Sequence, residues 1–298
     1  MKYTFLFCVL FVFYSCDNKT KTLPNSTGKY SEIIIVSKET ILNQEKKILI
    51  DDVFQKEILG LNRKEIEFKT IQINYNHFNN ILKKHKNILI LTEGGKEFSQ
   101  KNKWSKNQLV FQIDLLKEKD FIEKIQKIQK LFQFNEIKNL REIYSESSNK
   151  KIEKIIKDKF KIDIVVPKEY TLVENQELFL WATYNPENKE EIKQLLVFEV
   201  ELTDENIGDY VMTKMDSIFS KYLKGVKDNS YVKIEPMYKP FFQDYIYRGL
   251  WKLENGFMGG SFVAKNYFFN DKIVVTVGLV FDPLKAKRNY IKEFEAIL

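Results

Sequence analysis

The sequence predicts an α+β protein of two mixed helix/antiparallel-sheet units, the C-terminal one built on a three-stranded meander. Three observations carry that expectation. The stretch Tyr245–Pro283 sets apolar-rich runs around two turn dipeptides, Asn255-Gly256 and Asn270-Asp271; Asn-Gly favours a two-residue hairpin because a type I′ turn needs positive φ at both central positions. Helical stripes stand apart from such runs, the clearest being Val211, Met215, Ile218, Phe219 and Tyr222 within Asp209–Leu223, at the spacing of one buried helix face. Finally, the polar stretch SESSNKK, Ser145–Lys151, interrupts the chain near its middle and divides it into units over 31–147 and 148–298.

Taken in order, residues 17–30 read as a polar tether and Ser31–Ser37 as a short apolar strand. Glu45–Ile58 has loosely helical spacing, Glu65–Ile73 alternates as a strand, and His77–Lys84 reads as a short helix. Asn87–Leu91 and Gln108–Asp114 read as strands around a loop at Glu93–Lys96. Asp120 is the expected cap of a helix carrying Phe121, Ile125, Ile128 and Phe132 on one stripe. The second unit opens with an amphipathic helix (Ile152, Ile155, Ile156, Phe160), followed by strands at Ile162–Val166, Leu178–Tyr184 and Gln194–Glu201. After the meander, Asp282-Pro283 reads as an N-cap and first helical position of a final helix running to Leu298.

Counting outward from the two turns gives the meander's register. Trp251 faces Gly260, Gly249 faces Phe262 and Tyr247 faces Ala264; Phe281, Leu279 and Val277 continue these rows. Large side chains lean over small ones, which fills a sheet face without voids. The other face carries Arg248, Val263 and Gly278 in one row, a mixed set with room beside the arginine.

A net charge of +7 invites a polyanion reading, but only four of the 48 basic residues are arginine. Bidentate phosphate and base recognition favours Arg, and the lysines are scattered among 41 acids, so nucleic acid is not an expected partner. Residues 1–16 read as a signal: Met1-Lys2, an apolar run over Tyr3–Tyr14, then Ser15-Cys16 before a polar stretch. That run has the length of a signal core and is too short to span a bilayer. Cys16 is the expected lipidation site, with the acyl chains, palmitate among them, holding the chain on a membrane. Cys8 lies inside the signal, so the mature chain has no second thiol for a disulfide or a cysteine-based metal site.

Catalytic motifs are not found. His77 and His85 stand eight residues apart without the spacing of a zinc pair, no Gly-x-Ser-x-Gly elbow occurs, and paired carboxylates such as Asp51-Asp52 are sequence neighbours that point apart. No catalytic residue, metal ligand or cofactor is expected. The candidate ligand-binding residues are Arg248 on the mixed sheet face, Gly259 and Gly260 where a backbone approach or a bulge is signalled, and Lys285 and Arg288, which with Lys287 crowd the expected first turn of the last helix, where an anion is favoured.

Several segments resemble a Bacteroidetes lipoprotein family known only as a domain of unknown function (DUF4837). They are LPNSTGKYSEIIIV, HKNILIL at His85–Leu91, KWSKNQLV at Lys103–Val110, IDIVVPKEYTLV at Ile162–Val173, MDSIFSKYL at Met215–Leu223, RGLWKLENGFMGGSFV at Arg248–Val263 and the closing KRNYIKEFEAIL. The resemblance runs through essentially the whole chain. It implies a lipid-anchored envelope protein facing the periplasm, on the outer membrane, and carries no activity with it. The functional expectation is a binding or envelope-assembly module whose partner is an envelope protein or an anionic ligand. The alternative is a hydrolase acting on cell-envelope material, which convergent carboxylates in a deep cleft would favour.

Overall fold

The computed structural model describes residues 22–39, 41–116, 120–203 and 206–298. The signal and Cys16 lie outside them. The first unit comprises β1 (Glu32–Ser37), α1 (Gln44–Phe54), β2 (Lys69–Asn74), β3 (Asn87–Thr92), β4 (Phe98–Lys101), β5 (Leu109–Asp114) and α2 (Phe121–Glu146). Its sheet runs β2-β1-β3-β5-β4. The α+β class holds, but β1, β2, β3 and β5 pair in parallel, with β4 alone antiparallel. That corrects the expectation of an antiparallel sheet here. The physical reason is burial on both faces: IIIV and ILIL are continuous apolar runs, as strands covered on both sides require. Ile33, Ile35, Leu89 and Phe111 face α1 and α2, while Ile34, Val36, Ile88 and Ile90 face Phe78, Leu82 and Trp104.

The second unit follows with α3 (Lys150–Phe160), β6 (Thr171–Gln176), β7 (Phe179–Tyr184), β8 (Ile192–Glu201), α4 (Ile207–Tyr222), β9 (Tyr231–Ile234), β10 (Phe241–Gln243), β11 (Ile246–Glu254), β12 (Gly259–Phe268), β13 (Lys272–Phe281) and α5 (Arg288–Ile297). Its eight-stranded antiparallel sheet runs β10-β11-β12-β13-β8-β7-β6, with β9 also on β11. The meander has the expected register: Trp251 pairs with Gly260, Tyr247 with Ala264, Phe262 with Leu279 and Ala264 with Val277. No bulge interrupts Gly259-Gly260. The turn itself differs, because Asn255 has φ 57° while Gly256 stays outside the left-handed region, so it is not type I′.

Alternation gives the sheet two apolar faces. One packs on α3 and α5 through Leu180, Leu195, Val197, Val263 and Val280. The other packs on α4 through Leu196, Phe198, Phe262, Val275 and Val277 against Val211, Met215 and Phe219.

Four local expectations change. Ile162–Val166 is buried but is not a strand; Val165 N–H donates to Ile297 O at 2.8 Å and Val166 O accepts from Asn149 N–H, so the segment is held by helix ends. Asp120 makes no side-chain capping bond to α2. His77–Lys84 folds as two 3-10 turns, Tyr75–His77 and Leu82–Lys84, rather than one helix. The last helix starts at Arg288, not Pro283, because the Asp282 carboxylate accepts from Leu284 N–H and Lys285 N–H and holds a turn there.

The two units are joined by charge-assisted bonds. Glu136 on α2 accepts from Ser31 N–H, from Asn87 Nδ2 at 2.7 Å and from Lys292 Nζ of α5 at 2.6 Å. Both members of that ion pair are at most 2% exposed. Arg141 of α2 donates to Ala296 O at the end of α5 and to Asp163 O.

Candidate ligand-binding site

The sequence-designated residues do not converge on one place. Arg248 binds Glu295 of α5 through Nε at 2.6 Å, and burial keeps the Glu295 carboxyl above the ordinary carboxylate range despite the guanidinium beside it. On the Gly278 side the room beside Arg248 is occupied, since Phe294 lies over that glycine, where any Cβ would overlap its ring; on the other side Arg248 borders a cavity of about 420 Å³ with Glu67, Gln133 and Ile246. The first amides of α5 are also taken. Glu65, from the first unit, accepts from Lys287 N–H at 2.8 Å and Arg288 N–H at 2.7 Å, and Arg288 Nη1 donates to Ile66 O. The anion favoured at this helix start is therefore a carboxylate of the same chain.

Gly259, Gly260 and Lys285 do share a cavity of about 660 Å³ at the seam between the units, walled by Asn62–Glu65, the β11–β12 hairpin and the loop after β13. Several of its charged groups are already paired, whereas Arg63 and Lys64 also stand in its wall. Lys285 reaches Glu191 and Asp282, each at 3.3 Å. Beside it, Lys193 Nζ binds Glu293 at 2.7 Å and Glu191 at 3.0 Å, and Tyr290 donates to Asp282 at 2.6 Å. Burial raises the pKa of Glu293. Burial also opposes ionisation of Glu191, but Lys193 and Lys285 outweigh it and the net shift is downward. The carboxylates here are held by lysines or, for Glu65, by backbone amides.

Composition alone did not single out the other cavity, on the α4 face. It holds about 470 Å³ and is walled by Trp181, Trp251, Leu253, Met258, Leu279 and Phe281 together with the loop that follows α4. That volume lies in the range of about 300–1,000 Å³ usual for small-molecule sites. Helix α4 ends at Tyr222, so this end of the sheet face has no helix over it. The tryptophans' polar edges are satisfied elsewhere: Trp181 Nε1 donates to Gln194 Oε1 at 2.7 Å and Trp251 Nε1 to Val280 O at 3.2 Å. Gly260 is what permits the second bond, because a Cβ there would collide with Val280 O and stand 3.0 Å from Trp251 Nε1. What remains facing the cavity is apolar ring and alkyl surface. Among the described residues no Asp or Glu lines it, whereas Lys224 and Lys227 do. Val226 and Phe257, at the same mouth, are almost fully exposed. The sequence signal that would have found it is the pair Trp181 and Trp251, on strands whose register puts both on one face.

The two histidines stay apart from both cavities. His85 is buried at the start of β3 with Nδ1 against Asn87, and burial lowers its pKa. Among the described residues no group of three or more His, Cys, Asp or Glu side chains is placed to hold a metal, and no helix is long and apolar enough to cross a membrane.

No curated protein matches the chain, and no solved structure does. Residues 26–145 match a domain of unknown function (DUF8532). The family resemblance seen in the sequence therefore divides, its second-half motifs falling within one family model and its first-half motifs within another. Residues 148–298, the half that carries the meander and the two-tryptophan cavity, match the domain of unknown function DUF4837, and the chain belongs to that family.

Proposed function

We propose that this protein is a membrane-anchored envelope lipoprotein acting as a binding module, with the two-tryptophan cavity as its ligand site. The single observation that supports the binding reading is the character of that cavity: apolar walls, satisfied indole N–H groups and no carboxylate among the described residues that line it. A glycoside hydrolase of envelope material needs convergent acids in its cleft, and the acids that do converge are bound to lysines elsewhere. The anchoring part rests on the apolar run that stops at Ser15-Cys16.

Titration with the neutral fluorescent probe N-phenyl-1-naphthylamine tests the reading. Saturable binding that quenches tryptophan emission, and that weakens in Trp251→Leu, is the expected result. A probe that does not bind, or binds equally well to the variant, overturns it. For the anchor, Cys16→Ser releases the protein from membranes or leaves its signal uncleaved; an unmodified wild-type N-terminus at another residue in an intact mass contradicts lipidation.

A further inference from the structure

We infer that the cavity takes an amphipathic anion, with one alkyl chain inside and a carboxylate or phosphate head at Lys224 and Lys227. The inference rests on the binding reading above and adds the class of ligand.

Charge is distributed on one side only. The cavity floor is the sheet face, Trp181, Leu279, Phe281 and Trp251, and both cations come from the loop after α4. Asp228 stands on that loop but is not part of the lining. A cationic ligand finds no counter-charge here, and a wholly apolar one leaves the lysines unused.

The lysines are presented by a tight loop. Gly225 N–H donates to Ser230 O at 3.1 Å, Ser230 N–H to Lys227 O at 3.1 Å, and Val232 N–H to Leu223 O at 2.9 Å. Ser230 Oγ adds a second bond to Lys227 O at 2.6 Å. Lys224 Nζ donates to Ser220 O in the last turn of α4 and stands 5.6 Å from the centre of the Tyr231 ring; an ammonium has three donors, so it can bind a ligand head without giving up the bond to Ser220. Pinned in this way, the loop loses little freedom when an anion arrives, which is the condition for a charged contact to add affinity.

The apolar walls make a second, quantitative statement. Burying a methylene contributes ~0.8 kcal/mol, a factor of about four in affinity. Affinity should therefore climb about fourfold per added carbon and then level off once the cavity is full, whereas adsorption to a surface patch has no such limit.

The test is tryptophan-monitored titration of the purified full chain with alkyl carboxylates of increasing length. Alkyl phosphates, alkanols and alkyltrimethylammonium salts of matched length run in parallel, all below their micelle concentrations. The expected result is a rise and plateau with length, anions binding about tenfold tighter than the alkanol, and a preference that shrinks with added salt. Lys224→Gln/Lys227→Gln should abolish the preference, anion binding falling to the level of the alkanol, with an unchanged circular dichroism spectrum and denaturant midpoint showing that the variant is folded. The carboxylate and phosphate series separate a fatty-acid-type ligand from a lipid headgroup. An alkanol that matches the anions, or a cation that binds tightest, overturns the ligand class and leaves the cavity reading intact. Failure of every amphiphile to bind overturns both.

Discussion

The two faces of the eight-stranded sheet are made from alternate residues of the same strands, yet they end differently. The face under α3 and α5 is filled where those helices lie on it: Phe294 fills the space over Gly278, and Glu295 meets Arg248. The face under α4 is closed only as far as Tyr222, and beyond it Leu279, Phe281 and two tryptophans wall a cavity. Strand composition does not separate the faces, since both are apolar. The difference lies in how far the covering helix extends, so a binding site can arise on a sheet without any residue type special to it.

The largest expected effect falls on the closed side. Lys292→Met leaves Glu136 buried without its cation, and removing one partner of such a pair costs about 3–5 kcal/mol; denaturant melts measure it. Adding Glu136→Leu should recover only part of that loss, since it removes the unpaired buried charge but leaves Ser31 N–H and Asn87 Nδ2 without their acceptor.

A sharper comparison uses neighbouring residues that point to opposite faces. Gly278→Val drives a side chain into Phe294, and overpacking of a filled core costs about 1–3 kcal/mol. Leu279→Phe adds comparable bulk toward the cavity and should cost about 1 kcal/mol or less, because the space is open. It should also weaken N-phenyl-1-naphthylamine binding, which Gly278→Val should do only through lost stability. Equal costs at 278 and 279 would mean that the two faces are equally full.

The smallest effect compares the faces away from the cavity. Burial pushes Tyr247, on the α4 face, and Tyr267, on the α5 face, each up to about 12. A folded pKa above the unfolded value near 10 means that the stability these groups contribute is complete below pH 10. It is lost as pH rises through about 12. Absorbance titration of Tyr247→Phe and Tyr267→Phe should each remove one late-titrating phenol; a loss near pH 10 from either would show that its face is wet.

The meander was legible because its signals are local. Two turn dipeptides stand a fixed count from Trp251-Gly260 and Phe262-Leu279, and large residues face small ones. Parallel pairing in the first unit was written in the unbroken runs Ile33–Val36 and Ile88–Leu91, but strand order depends on crossovers that no neighbouring residues encode. Strands β6, β9 and β10 escaped notice for a different reason. The last two are four and three residues long, and β6, TLVENQ, is mostly exposed, so alternation has little to act on. Of the candidate site, Arg248 and Arg288 were visible as charges, but their partners Glu295 and Glu65 were not. Glu65 lies 222 residues before the amide of Lys287 that it binds, and sequence spacing holds no trace of such a contact. The cavity needed the position where α4 stops relative to β11, which is also a tertiary quantity.

That long-range cap has a consequence for how the protein melts. Helix α5 belongs by sequence to the second family, yet its first amides are satisfied by Glu65, its Lys292 by Glu136 and its Ala296 carbonyl by Arg141. Opening either half strands buried polar groups in the other, so neither can unfold cheaply by itself. Heat should therefore produce one calorimetric transition whose van't Hoff and measured enthalpies agree, although two separate families are matched. Swapping α5 for that of another family member would uncouple the halves and split the peak, unless the incoming helix keeps a lysine at 292 to meet Glu136.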